Sequence, residues 1–414
     1  LSTSDENGAA GMSSSKQTSR NISRSQVLGV IRAERSISRS KLASMVPMSR
    51  ATVSGIVAEM MEVGIIEEVG EGVSTGGRPP IKLRYNPESR MAVGAVLFDD
   101  QIQTALTDME GNLLNYLEIP IAGGTPSSML STMHEAVECI LEGIPRDHVL
   151  GVGIGAPGIV DFETGVIELS VSRGWLEGGI EVKSPLASGL QLPVYVANRS
   201  RVAALGEFQV GIGRDVSNLI YLFLGRGIVA GVIIDGHLYI GPGSSAGEIG
   251  HVSVDPDGPL CDCGNHGCLE VFATEVAILA EARALARENA GSLLHHAVDG
   301  RLERLTIDHV IEAANRSDPS ALGVLADAGT KVGFAVSVLI DLFNPEMVII
   351  GGPLGTNAGN LLLEPIRREA QLRTLSRPFM DTQIVTGILG SKAIAIGAAV
   401  LAINHTPIEV ILGK

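Results

Sequence analysis

IIDGHLYIGPGSSAGEIGHVSVDPDG (233–258) and, two residues on, CDCGNHGCLE (261–270) carry the densest chemistry of this 414-residue chain. Cys261, Cys263 and Cys268 fall within eight residues, and Gly264 and Gly267 permit a tight turn between them. Three thiolates so close repel one another unless a cation holds them, and one imidazole would complete a closed tetrahedral Cys3His zinc site. Spacing alone leaves His251 and His266 as rival fourth ligands. Reduced surface cysteines without metal are the plainer alternative. A closed site has no open position for water, so the expected role of the ion is structural, bracing the loop. Glu248 and His251 stand three apart in GEIGH, so one helical turn would point them the same way. Taken alone, such a pair in a glycine-rich loop is more often a surface cap than a ligand site.

Outward from this stretch the chain reads as α/β. Apolar runs bounded by glycine at 149–154, 194–197, 219–224, 228–234 and 347–350 predict strands, and 127–143 and 321–342 predict helices. Glycines at the strand tips, in GAPG (155–158) and GGP (351–353), mark where such folds bind ligands. Cys139, in AVECILEG, is expected to be a small buried hydrophobe.

The front of the chain has a different character. Residues 22–35 place Ile22, Val27, Val30 and Ile31 on one helical face, and Ser38 caps a second helix that Pro47 helps to stop. Ser49 caps a third, in which Val53, Ile56, Val57 and Met60 form the apolar stripe. Arg50, Ala51, Thr52, Ser54 and Gly55 are left outward near its N-terminal end, where a recognition helix meets the major groove. Strands near 64–68 and 81–86 flank GEGVSTGGRPP (70–80), a wing from which Arg78 could enter a narrow minor groove. A three-helix interaction module that touches no DNA is the alternative.

Charge agrees with this division. The net charge is −15, yet residues 1–90 hold 12 Lys and Arg against 9 Asp and Glu, so the head is mildly basic and the body strongly acidic. With 45% hydrophobic and 19% charged residues the chain reads as globular, in two to four domains. No run of about 18 uncharged apolar residues suggests a membrane span, and the polar start lacks an apolar signal region. A cytoplasmic location is therefore expected, with four cysteines too few for a disulfide framework. Residues 1–20 read as a flexible tail, and Met12 as a possible start.

The run SRSKLASMVPMSRATVSGIVAEMMEVGII with its GGRP wing, and the motifs GIGAPGIVD (153–161), GWLEG (174–178), AALGE (203–207), CDCGNHGCLE and VIIGGP (348–353), strongly resemble the ROK family of repressors and sugar kinases. The resemblance spans essentially the whole chain and is similar to that of the xylose-, N-acetylglucosamine- and glucose-responsive repressors. It implies a winged helix-turn-helix over 21–87, then an actin-like (ribonuclease-H-like) two-lobed sugar-kinase fold. Its first lobe would cover 88–197, completed by 385–414, and its second 198–384. The family pattern points to His251 as the fourth zinc ligand, and to Asn198, Glu248, His251 and Glu270 as sugar contacts. Carboxylates and imidazole suit this because each hydroxyl both donates and accepts.

The same resemblance shows where kinase chemistry is missing. The DxGGT phosphate loop of the kinases is VLFDD (96–100) here, GTGIG is GRGIV (225–229), and the catalytic aspartate of ENDANAAALGE is Arg199 in ANRSRVAALGE (197–207). An arginine cannot accept a hydroxyl proton. Val171 also replaces a common asparagine, which puts ordinary glucose in doubt. Expected, then, is a degenerate kinase acting as a repressor, a homodimer or homotetramer on a pseudo-palindromic operator. Arg199 suits an acidic or phosphorylated sugar; pairing with Glu207 or Glu248 is the alternative. The rival functions are a repressor controlled by a protein partner and an active sugar kinase.

Overall fold

The computed structural model describes residues 6–71, 81–98, 100–122, 125–169 and 179–413. The N-terminal part contains the helices Glu6–Glu34, Arg39–Met45 and Arg50–Glu62 and a three-stranded antiparallel sheet in the order Ser36–Ser38, Ile81–Tyr85, Ile66–Glu71. Ser38 and Ser49 cap the second and third helices, each accepting a backbone N–H of the first turn. Val53, Ile56, Val57 and Met60 are buried as their spacing requires.

Two expectations are corrected here. The first helix begins at Glu6, so most of the segment read as a tail belongs to it; no proline interrupts residues 6–34. Ile22, expected on the inner face, is 55% exposed, because the buried face runs through Arg24, Val27, Leu28 and Ile31. Arg24 holds its place by a two-pronged pair with Glu59 of the third helix, Nη2 to Oε1 at 2.6 Å and Nε to Oε2 at 3.0 Å.

The body contains two five-stranded sheets. In the first the order is Leu113–Pro120, Gln101–Asp108, Met91–Leu97, Val149–Ala156, Val194–Asn198; in the second it is His237–Tyr239, Ile228–Ile234, Leu219–Leu224, Met347–Gly351, Gln383–Thr386. Each has two antiparallel hairpins followed by two parallel additions, so one topology occurs twice. The helices Arg199–Gln209 and Ala393–His405 share a buried cluster with strands of both sheets. They approach without intervening side chains: a Cβ on Gly397 would lie 1.6 Å from the carbonyl oxygen of Val202. The second helix also lies as close to the strand Val149–Ala156, where a Cβ on Gly153 would lie 1.7 Å from the Ala398 carbonyl oxygen.

The second of these helices also reaches the head. Ala399, Ala402 and Ile403, with Ile408, Ile411 and Leu412 beyond it, share one apolar core with Val27, Ile31, Leu42 and Ile56. Asn21 donates to Glu409 across that contact. Glu207 ties the segment between the sheets to the one that leads into the helix Ala393–His405: it is buried, and its carboxylate accepts the N–H of Ile212 at 3.2 Å and of Leu389 at 2.9 Å. Among the described residues one helix, Pro319–Phe343, is long and apolar enough to cross a membrane, and 61% of its apolar window is buried inside the molecule. Cys139 is exposed, against expectation, because its helix turns Met129, Met133, Ala136, Val137 and Ile140 inward instead.

Candidate metal centre and ligand cleft

The turn Ile249–His251 and the loop that follows bring His251, Cys261, Cys263 and Cys268 together, with all ligand atoms within 4.8 Å of one another. Cys263 Sγ lies 3.6 Å from Cys268 Sγ, and Cys261 Sγ lies 3.8 Å from His251 Nδ1. A zinc–sulfur bond of about 2.3 Å gives a tetrahedron edge of about 3.8 Å, so these separations fit one ion. The loop reaches this shape because Gly264 and Gly267 take φ of 90° and 63°, and a Cβ on Gly267 would strike the Asp255 carbonyl. His266 turns away, its Nδ1 3.2 Å from the carbonyl oxygen of Gly258. The choice between the two histidines therefore falls on His251.

The thiols show what the cluster demands. Burial pushes Cys268 up to about 12 and raises Cys261, whereas the backbone N–H of Asn265 holds Cys263 below its ordinary value. A cation bound there would supply the charge that lets all three ionise. The other ring nitrogen of His251 faces away from the thiols, toward Glu270 Oε2 at 3.8 Å. Glu270 in turn accepts the N–H of Ile228 through Oε1 at 2.8 Å. The cysteine loop is thereby fastened to the turn of the central hairpin in the second sheet.

Glu248 neighbours both residues, and burial raises its carboxyl above the usual range, opposed by Arg201 and His251. Asn198, expected as a sugar contact, ends the last strand of the first sheet and commits both ends of its amide. Nδ2 donates to the Gly158 carbonyl at 2.8 Å, and Oδ1 accepts the N–H of Ser200 at 2.9 Å. Arg199 lies over two aromatic rings, 5.4 Å from the centroid of Phe98 and 5.8 Å from that of Phe223, one from each sheet region. Sequence reasoning missed Arg201. Its signal was a second arginine in the first turn of a helix that has no acid there.

In the head, Arg50, Ala51, Thr52, Ser54 and Gly55 are exposed on the N-terminal half of the third helix, with the Thr52 hydroxyl 2.8 Å from that of Ser49. Arg78, Val171 and the Gly-Trp motif lie outside the described residues. The turn GRGIV carries the side chains of Arg226 and Val229, and the GGP turn is held by Tyr221, whose hydroxyl accepts the N–H of Gly352 at 2.9 Å.

A five-stranded topology used twice, with the helices Arg199–Gln209 and Ala393–His405 packed in one cluster with strands of both sheets, defines a two-sheet α/β protein. Residues 97–405 match the ROK family, and the chain belongs to it. The chain is 32% identical over 387 residues to a xylose repressor of Caldicellulosiruptor bescii, covering 92% of this chain and 96% of that one. It is 33% identical over 312 residues to a glucokinase of Halalkalibacterium halodurans, covering 74% of this chain and 93% of the other. Among solved structures it resembles a ROK family transcriptional regulator described as a homologue of the Escherichia coli MLC protein. There the TM-score is 0.82 at 26% identity, with 95% of this chain and 99% of that chain covered.

Proposed function

We propose that this protein is a cytoplasmic transcription repressor of carbohydrate uptake or catabolism genes, released from its operator by a sugar bound in a kinase-like cleft. The observation that carries this reading is the exposed N-terminal half of the helix Arg50–Glu62, mounted on a head whose apolar core continues into the body. In this reading residues 21–87 form a winged helix-turn-helix, with Arg50, Ala51, Thr52, Ser54 and Gly55 in the major groove and Arg78 in the minor groove. Residues 88–197 with 385–414, and 198–384, form the two lobes. Two copies, alone or paired into a tetramer, meet a pseudo-palindromic operator.

The cleft works without phosphoryl transfer. Phe98, Arg226 and Val229 stand where kinases offer open backbone to phosphate, and Arg199 stands in place of the base. Asn198, Arg199, Glu248, His251 and Glu270 border the effector, and zinc, held by His251, Cys261, Cys263 and Cys268, braces the loop that carries them. The metal supplies structure and no open coordination site.

A gel shift on the native operator tests the reading, with binding expected to weaken on addition of the cognate sugar. Arg50→Ala is expected to cost about 1–3 kcal/mol and to relax preference at one base pair of each half-site. Arg78→Ala is expected to weaken binding with little change of base preference. No effect of either change would overturn the winged-helix assignment.

Arg199 bears on the effector's charge. Arg199 lies over Phe98 and Phe223, and a planar guanidinium at that position suits an anion, so a carboxylate or phosphate on the sugar is expected to add about 1.5–3 kcal/mol. Calorimetric titration with D-glucose, glucose 6-phosphate and glucuronate checks this. Tighter binding of the neutral sugar, or an Arg199→Ala variant that keeps full affinity for the anionic ones, would remove it.

A further inference from the structure

The first turn of the helix Arg199–Gln209 holds two arginines and no acid, an arrangement that the helix dipole opposes. Each cation therefore needs particular partners. Residues two apart leave a helix on nearly opposite sides. Arg199 goes to its two rings, and Arg201 goes to the loop that precedes the metal-binding turn.

Arg201 is 1% exposed. Its Nη2 donates to the carbonyl oxygens of Ser244 at 2.6 Å and of Ala246 at 3.1 Å. Ser244 sits at φ 49°, a left-handed conformation that few side chains adopt unaided. Gly247 follows, its carbonyl accepting the N–H of Ala230 at 2.7 Å. One guanidinium thus fixes the tip of segment 241–247, and the next residue is Glu248.

Glu248 Oε1 is buried without a hydrogen-bond partner, and so is Arg201 Nε. The two side chains are electrostatic partners, and neither of these two atoms makes a hydrogen bond to the other. A buried carboxylate and a buried guanidinium each lose solvation that only an opposite charge nearby can restore.

We propose that Arg201 is the positioning residue of the effector site: it pins the 241–247 loop to the cleft helix and fixes the place of Glu248 for the sugar hydroxyls. The proposal rests on the sugar-effector reading above. Lysine would keep the charge but, as a flexible point donor, not the rigid planar group whose Nη2 reaches both carbonyls.

The test is calorimetric titration of the full-length protein and its Arg201→Lys and Arg201→Met variants with D-xylose, D-glucose and glucose 6-phosphate, alongside zinc content and sugar-free operator affinity. Whichever sugar the unaltered protein binds is expected to bind Arg201→Met at least about tenfold more weakly, with Arg201→Lys in between. Zinc content and operator affinity without sugar are expected to stay unchanged. Arg201→Met with unaltered sugar affinity would overturn the proposal. So would equal loss in both variants accompanied by loss of zinc, which marks general damage to the fold. If Arg201→Met does not fold, Arg201→Lys decides alone: weaker sugar binding with zinc retained supports the proposal, and unaltered affinity overturns it. An unaltered protein that binds none of the three sugars would instead refute the functional reading first, and the proposal with it.

Discussion

Cys263→Ser protein is expected to emerge from purification without stoichiometric zinc and without a sugar response. A serine hydroxyl does not ionise near neutral pH, so the site falls from four strong donors to three. Structural zinc sites contribute about 10–16 kcal/mol of apparent binding free energy in small peptides at pH 7, and removing one thiolate forfeits a large share of it. The consequence reaches beyond the ion. His251 uses one ring nitrogen toward the thiols and turns the other toward Glu270, so releasing the ring frees both residues proposed to border the effector. Cys263 is the sharpest test because its thiol is held below its ordinary value, which makes it the readiest thiolate of the three. Elemental analysis and sugar titration on the same preparation check the expectation. A zinc-free protein with full sugar response would refute the bracing role, and a Cys263→Ser protein with one zinc per chain would refute the ligand set.

The cysteine loop was legible because its signal is local. Three thiols and two positive-φ glycines within eight residues restrict the geometry before any tertiary contact is known. Spacing could not choose between His251 and His266, since both lie within reach along the chain; the return of the loop onto the turn Ile249–His251 decides it. The head was legible for a similar reason, as Ser38 and Ser49 announce their helices and the apolar spacing of the third helix is complete within it. Ile22 misled because hydrophobicity was read without asking which face the tertiary contact uses; a charged pair, Arg24 with Glu59, occupies the inner position. Cys139 misled in the same way. Arg201 stayed hidden because its partners, Ser244, Ala246 and Glu248, are more than forty residues away in the chain, and a buried arginine carries no local mark. The continuity between the head and the last helices depends on residues 399–412 folding back on residues 27–56, a contact between distant parts of the chain that local patterning does not encode.

Gly397→Ala is expected to abolish the folded state or to destabilise it by more than about 4 kcal/mol, the range reserved for changes that the structure cannot absorb. The helices Arg199–Gln209 and Ala393–His405 touch backbone to backbone. A Cβ on Gly397 would lie 1.6 Å from the Val202 carbonyl oxygen and 2.8 Å from the Gly206 nitrogen, and none of those atoms belongs to a side chain that could rotate away. Relief requires the two helices to separate, yet one carries the arginines of the cleft and the other leads into the core of the head. Separation would empty contacts on both sides, with the cavity penalty added to the clash. Gly323→Ala is the matched control: that glycine is exposed in the helix Pro319–Phe343, an added Cβ meets nothing within 4 Å, and alanine is expected to stabilise by up to about 1 kcal/mol. Urea unfolding of the two variants checks the pair. A Gly397→Ala protein with the midpoint of the unaltered chain would show that the helices do not meet in this way, and the route from cleft to head through the helix Ala393–His405 would fall with it.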